Sequence, residues 1–159
     1  MKKLPKAPTI EVRRMEPSDI CNAVAMGKAV HTEYQSSLYP PVNEIAFHGS
    51  LLQYLAQGVV FLAVTEGKII GMMALETFYY DWNPSVKYLR NAHFYVLKYF
   101  RKSNVSDLLL MKAREYAAET GAPFIEIGMK TDEDAEIKDR FLRIKGGRYV
   151  GGTFIFDPL

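Results

Sequence analysis

Val96-Leu97-Lys98-Tyr99-Phe100-Arg101-Lys102-Ser103-Asn104-Val105-Ser106 leads from an apolar run, through a short basic and polar stretch, into a helical pattern. Upstream, residues 88–97 have the apolar and aromatic content of a long strand. Downstream, Ser106 is placed to cap a helix whose Leu109, Ala113, Tyr116 and Ala117 share one face, and Gly121 followed by Pro123 stops it. A strand running through a basic turn into a helix N-terminus gathers unsatisfied backbone N–H groups and the positive end of the helix dipole at one spot. Such a spot holds phosphate without special side chains. Arg101 and Lys102 add charge, while Ser103, Asn104 and Ser106 are small or turn-tolerant enough for an anion to reach the backbone. The stretch therefore suits a diphosphate.

Outward from this turn the pattern alternates. Residues 10–14 read as a short strand, and Pro17-Ser18-Asp19 as a helix start with Ser18 as N-cap, followed by Ile20, Val24, Gly27, Val30 and Tyr34 at helical spacing. Residues 35–42 carry two prolines and two serines and read as a loop. Phe47, Leu51, Tyr54 and Leu55 mark a second amphipathic helix, ended by Gly58. Residues 59–65 and 68–77 read as a hairpin turning at Glu66-Gly67, and Tyr79-Tyr80-Asp81-Trp82-Asn83-Pro84 as an aromatic loop. After the 106–120 helix come a short strand at 124–127 and a fourth helix from about Asp132, whose positive end Asp132, Glu133 and Asp134 complement. Ile137, Phe141 and Ile144 would be its core face, Gly146-Gly147 its break, and residues 149–156 closing strands. This order predicts a mixed α+β fold with helices on both faces of one sheet.

Composition narrows the function. With 159 residues, 48% of them hydrophobic, the chain fits a single globular domain over 1–159, with 1–9 expected to be flexible. A net charge of +2 gives no whole-molecule attraction for nucleic acid or membrane, so an anion must be held locally. The basic run Arg140, Arg143, Lys145 and Arg148 is interleaved with acids and reads as a solvated helix face. It could also reach the 3'-phosphate of a nucleotide. A lone Cys21 excludes an intrachain disulfide and, on the first helix, reads as a buried small hydrophobe; a reducing, cytoplasmic setting is expected. His31, His48 and His93 are too scattered for a zinc site, and no metal is expected.

The turn resembles the signature of the GNAT (GCN5-related N-acetyltransferase) family, (Arg/Gln)-x-x-Gly-x-(Gly/Ala), which lies between that family's fourth strand and third helix after a Val-x-Pro-x-Tyr stretch. Val96, Phe100, Arg101 and Leu108-Leu109 match; Asn104 stands where Gly is usual, Ser106 where Gly or Ala is usual, and Lys98 where Pro is common. Asn tolerates left-handed backbone angles and Ser is small, so the turn is expected to survive. Residues 61–71 are similar to the family's second and third strands, and the likeness runs from about 10 to 156. The Arg-Lys-Ser turn is similar to that of phage-encoded members.

The resemblance implies a mostly antiparallel sheet of six to seven strands whose fourth and fifth strands splay. The pantetheine of acetyl-CoA, the co-substrate, would lie in the gap, pairing with backbone near Val96 and Lys98. Its diphosphate would sit on Arg101, Lys102, Ser103, Asn104, Val105 and Ser106. Transfer to a small-molecule or protein amine would be direct, in a ternary complex. A lysine-like amine of pKa about 10.4 costs roughly 4 to 5 kcal/mol to deprotonate at pH 7, so a base should help. His93 and Glu76 are candidates near strand ends, and Asn91 lies where relatives often carry Glu; His93 also reads as a satisfied sheet residue and Glu76 as a solvated strand end. Relatives often protonate the leaving thiolate with a Tyr where this chain has Phe141, which leaves Tyr149 or water as the proton source. Tyr79, Tyr80 and Trp82 could line the acceptor site or close the core. Two rival readings stay open: a non-catalytic binding module on the same fold, and a nucleic-acid binder using the basic fourth helix. A homodimer is also open.

Overall fold

A computed structural model describes residues 9–34, 40–128 and 135–150. It divides into two compact units, Met1–Gly128 and Met129–Leu159. The first unit contains β1 (Glu11–Arg14), α1 (Ile20–Tyr34), α2 (Glu44–Gln57), β2 (Gly58–Thr65), β3 (Lys68–Tyr80), β4 (Asn83–Val96), α3 (Val105–Thr120) and β5 (Ile125–Glu126). The strands form one sheet in chain order, antiparallel from β1 to β4 and parallel between β4 and β5. The α+β class and the mostly antiparallel sheet are as expected. Five strands are present among the described residues. Of the expected closing strands at 149–156, Tyr149 and Val150 are not in a strand, and residues from 151 onward lie outside the described residues.

Two helices cover one face of the sheet and one covers the other. Ile20, Ala23, Val24, Met26 and Val30 of α1 and Leu51 of α2 pack against Val60, Leu62, Met72 and Ala74. Burying each of the larger of these side chains, the alanines aside, contributes about 1.5 to 3 kcal/mol. On the opposite face α3 lies against β2 and β3 with Val105, Leu109 and Ala113 fully buried. The approach is close at Gly71, where a Cβ would lie 2.8 Å from Val105 Cγ1 and 3.1 Å from Leu109 Cδ1. Glu66 and Gly67 both take positive φ, 49° and 75°, the twist that a two-residue hairpin between β2 and β3 demands.

Several local expectations change. Ser18 is not a helix cap: Pro17–Asp19 forms a 3₁₀ turn, and the Asp19 carboxylate accepts from the Glu16 amide at 2.9 Å. The longer acidic side chain reaches back over the turn. The 79–84 stretch is not a loop, because β3 runs to Tyr80 and β4 begins at Asn83, leaving Asp81 and Trp82 as a tight turn. Strong strand formers carried both strands past the point where Pro84 suggested a break. Likewise Ser106 lies inside α3, whose N-cap is Asn104. Cys21 is exposed, since Ala23 and Val24 rather than Cys21 face the sheet.

In the second unit, α4 (Ala135–Ile144) ends where the Gly146 and Gly147 amides return to the carbonyls of Arg143 and Leu142. Asp132, Glu133 and Asp134 lie outside the described residues. Ile137 and Ile144 are 67% and 70% exposed, so the expected core face is not one within this unit. Arg143 pairs with Asp139 at 2.7 Å across one turn of α4, and that hydrogen bond raises its pKa further.

Gly71→Val should cost about 2 to 3 kcal/mol in a denaturant melt, because the added groups meet Val105 and Leu109; an unchanged midpoint would show that α3 is not seated as described. Asp19 gives a pH signature. Its two-point bond with Arg13, at 2.7 and 2.8 Å, is the main reason its pKa falls to about 2, against an opposing contribution from burial. A depressed carboxylate stabilises the fold above its unfolded value near 3.8 and loses that contribution as pH falls towards 2. Asp19→Asn should remove about 1 kcal/mol at pH 7, after allowance for solvent screening, and clearly less at pH 2, where the folded-state carboxylate is half protonated. An equal loss at both pH values would contradict the pairing.

Candidate active site

The edge of β4 is opened by its own irregularity. Ala74 pairs with His93 and Leu75 with Asn91, so Ala92 has no opposite residue and forms a bulge. A bulge bends its strand and increases local twist. β5 follows β4 only at Leu89↔Ile125 and Arg90↔Glu126. One step further the Gly128 amide donates to the Asn91 side-chain carbonyl at 2.7 Å, in place of a backbone ladder. From Ala92 to Val96 the outer edge of β4 pairs with no strand among the described residues. Among the described residues the β4–β5 pairing does not extend beyond these two positions.

That edge leads into the turn. Leu97 still bonds to Ile70 at 3.0 Å, after which Lys98–Phe100 makes a 3₁₀ turn. The Ser103 amide donates to the Phe100 carbonyl at 3.0 Å, and the Ser103 hydroxyl donates to the same oxygen at 2.6 Å. Val105 then starts α3, its amide 3.4 Å from Ser103 Oγ, a weak contact at most. Lys102, Ser103 and Asn104 are exposed, Ser106 is half-buried, and the Val105 side chain is wholly in the core. Asn104 has φ −83° and ψ 11°, not the left-handed geometry for which glycine would be needed. Arg101 turns back on the strand, donating from Nε to the Val96 carbonyl at 3.0 Å and from Nη2 to Glu33 at 2.6 Å. Glu33 also accepts from the Lys98 amide at 3.3 Å.

The same strand carries the two base candidates. His93 is packed edge-on against Phe47 and Tyr54 of α2, and its Nδ1 is 3.3 Å from the Tyr95 hydroxyl. Burial raises the pKa of Tyr54, and the charge of Glu76 raises it further. Tyr54 packs against His93 on the α2 side of the sheet. Farther along β3 and β4, Trp82, Tyr80, Tyr88 and Phe124 form a ladder of rings with centroids 4.9 to 5.2 Å apart. Tyr79 is not part of it and instead lines a cavity with Thr77, Lys87, Leu89 and Tyr116. Tyr149 belongs to the second unit, 56% exposed with the Arg143 guanidinium over its ring.

Sequence reasoning assembled Val96, Lys98 and the 101–106 turn as one continuous feature, and missed Glu33, Tyr54 and the Ala92 bulge. Glu33 is a lone acid near the end of a helix whose partner lies far away in the chain, and no residue-type signal marks a bulge made of Ala. Among the described residues no cluster of His, Cys, Asp and Glu could hold a metal ion.

Residues 28–143 match the acetyltransferase (GNAT) family, and the chain belongs to that family. Its fold is that of several solved acetyltransferases. The aminoglycoside N-acetyltransferase AAC(6')-Iy in complex with CoA aligns with a TM-score of 0.72 at 16% identity, over 98% of each chain. A predicted acetyltransferase from Clostridium acetobutylicum, with acetyl-CoA, aligns at 0.74 and 14%, over 94% of this chain and 96% of that one. An aminoglycoside acetyltransferase from an uncultured soil metagenomic sample aligns at 0.73 and 15%, over 95% and 99%. No curated protein matches the sequence significantly.

Because Asn104 is not strained, Asn104→Gly should relieve nothing. A melting experiment should give a stability within a few tenths of a kcal/mol of the parent, the usual difference between these two residues at an N-cap. A clear gain would mean that the turn is held in a conformation that disfavours a side chain.

Proposed function

We propose that this chain is an acetyl-CoA-dependent N-acetyltransferase that transfers acetyl directly to a primary amine. The observation that carries the reading is the parting of β4 and β5 beyond Arg90, on an edge that ends in the basic turn at the start of α3. An extended chain with amides, followed by a diphosphate, matches that sequence of features: backbone edge first, then cations and helix amides. In this reading Val96 and Lys98 pair with the pantetheine, and Arg101, Lys102 and the 103–106 backbone receive the diphosphate. The family match spans both compact units, which supports treating the chain as one acyltransferase domain.

Chemistry follows from the position of the thioester. The neutral amine attacks the acetyl carbonyl, the new C–N bond forms as the C–S bond breaks, and the sulfur leaves as thiolate. His93 or Glu76 takes the ammonium proton before attack; Tyr149 or water returns a proton to sulfur. Neither step needs a covalent enzyme intermediate or a metal. Small-molecule acceptors are favoured because solved structures of the same fold include aminoglycoside acetyltransferases, with the Tyr80–Trp82–Tyr88 ladder as a platform. A protein amine is the other acceptor class. A lone cysteine, and the absence among the described residues of a helix able to cross a membrane, accord with a cytoplasmic setting.

Isothermal titration with acetyl-CoA, paired with thiol release across an amine panel, tests the proposal. Wild type should bind, and Arg101→Glu should weaken binding by tenfold or more, on the order of one charge-assisted hydrogen bond. His93→Ala or Glu76→Gln should slow thiol release without changing that affinity. No heat at millimolar acetyl-CoA would end the proposal. Binding without thiol release on any amine would favour a non-catalytic module.

A further inference from the structure

Glu33 lies on the cofactor strip assigned above, yet nothing in its own helix explains its position. It falls in the last turn of α1, where the helix dipole disfavours an anion. Its carboxylate nevertheless reaches across to the turn after β4, with Oε2 2.6 Å from Arg101 Nη2 and Oε1 3.3 Å from the Lys98 amide. The two side chains are only 28% and 25% exposed, so the pair is partly shielded from water. Arg101 simultaneously holds the Val96 carbonyl through Nε. One carboxylate thus engages, directly or through Arg101, three of the groups that the proposed function gives to acetyl-CoA: the Lys98 amide, the Val96 carbonyl and the Arg101 guanidinium.

From this coincidence we infer that Glu33 is an intramolecular latch on the cofactor groove, standing in for a ligand anion in the free protein and released when acetyl-CoA binds. The inference rests on the acetyl-CoA reading and adds its regulation. A phosphate and a carboxylate repel each other, and Arg101 cannot present the same Nη2 to both. The measured affinity is then the intrinsic affinity reduced by the fraction of molecules whose latch is open. While closed, the latch keeps the Arg101 charge and the strand-end groups satisfied. It also sets a threshold that only a strongly anionic ligand crosses.

Titration calorimetry with acetyl-CoA on the full chain separates the possibilities. Glu33→Gln and Glu33→Ala should each bind about three- to tenfold tighter than wild type, with Glu33→Ala at least as tight as Glu33→Gln. Glu119→Gln is the charge control: it removes one negative charge from an exposed pair with Arg14, away from the turn, and should leave affinity within twofold. Equal or weaker binding in both Glu33 variants, with wild type binding normally, would overturn the latch and leave the acetyltransferase reading standing. The same tightening in Glu119→Gln would reduce the effect to net charge and overturn it as well. No binding by wild type or any variant would remove the acetyl-CoA reading, and the latch with it.

Discussion

β4 satisfies one neighbour and abandons the other. It pairs with β3 from Lys87 to Val96, around the Ala92 bulge, and β5 stays with it for two residue pairs only. The extra residue at Ala92 and the side-chain amide of Asn91 mark where this happens, one bending the strand and the other capping Gly128. A buried strand edge with no partner would be costly, since each unpaired backbone group loses its hydrogen bond to water. Among the described residues that edge has no strand partner beyond Arg90, and it leads into a cationic turn at a helix start.

Seating α3 makes that turn reproducible. Val105 and Leu109 lock into the space above Gly71, directly across from Val96 in the register, so the helix start and the strand end are fixed to the same point of β3. Local hydrogen bonds do the rest: the Phe100 carbonyl accepts from both the amide and the hydroxyl of Ser103. The departures from the family signature at Asn104 and Ser106 look small in this light. Neither residue takes a positive φ, and neither is buried in the core that positions the turn.

Residue pattern alone made much of this legible. The element order, the hairpin at Glu66-Gly67 and the strand–turn–helix unit followed from periodicity and from turn chemistry, which act over a few neighbouring residues. What escaped was non-local. The bulge depends on the pairing of two strands, and Glu33 meets Arg101 across a long stretch of chain. Ser18 and Ser106 were sound cap residues by type, but Asp19 and the Ser103-Asn104 turn took their roles by geometry. The aromatic stretch around Trp82 misled because Pro84 suggested a break, although Pro is tolerated near the start of a strand.

Central to the account is that the strand edge and turn from Val96 to Ser106 form the acetyl-CoA cradle. Backbone amide resonances followed by NMR during an acetyl-CoA titration report on it residue by residue. The largest shifts should fall at Lys98 and across 101–106, with a second response at Glu33. Saturable shifts elsewhere, with these amides unmoved, would contradict it.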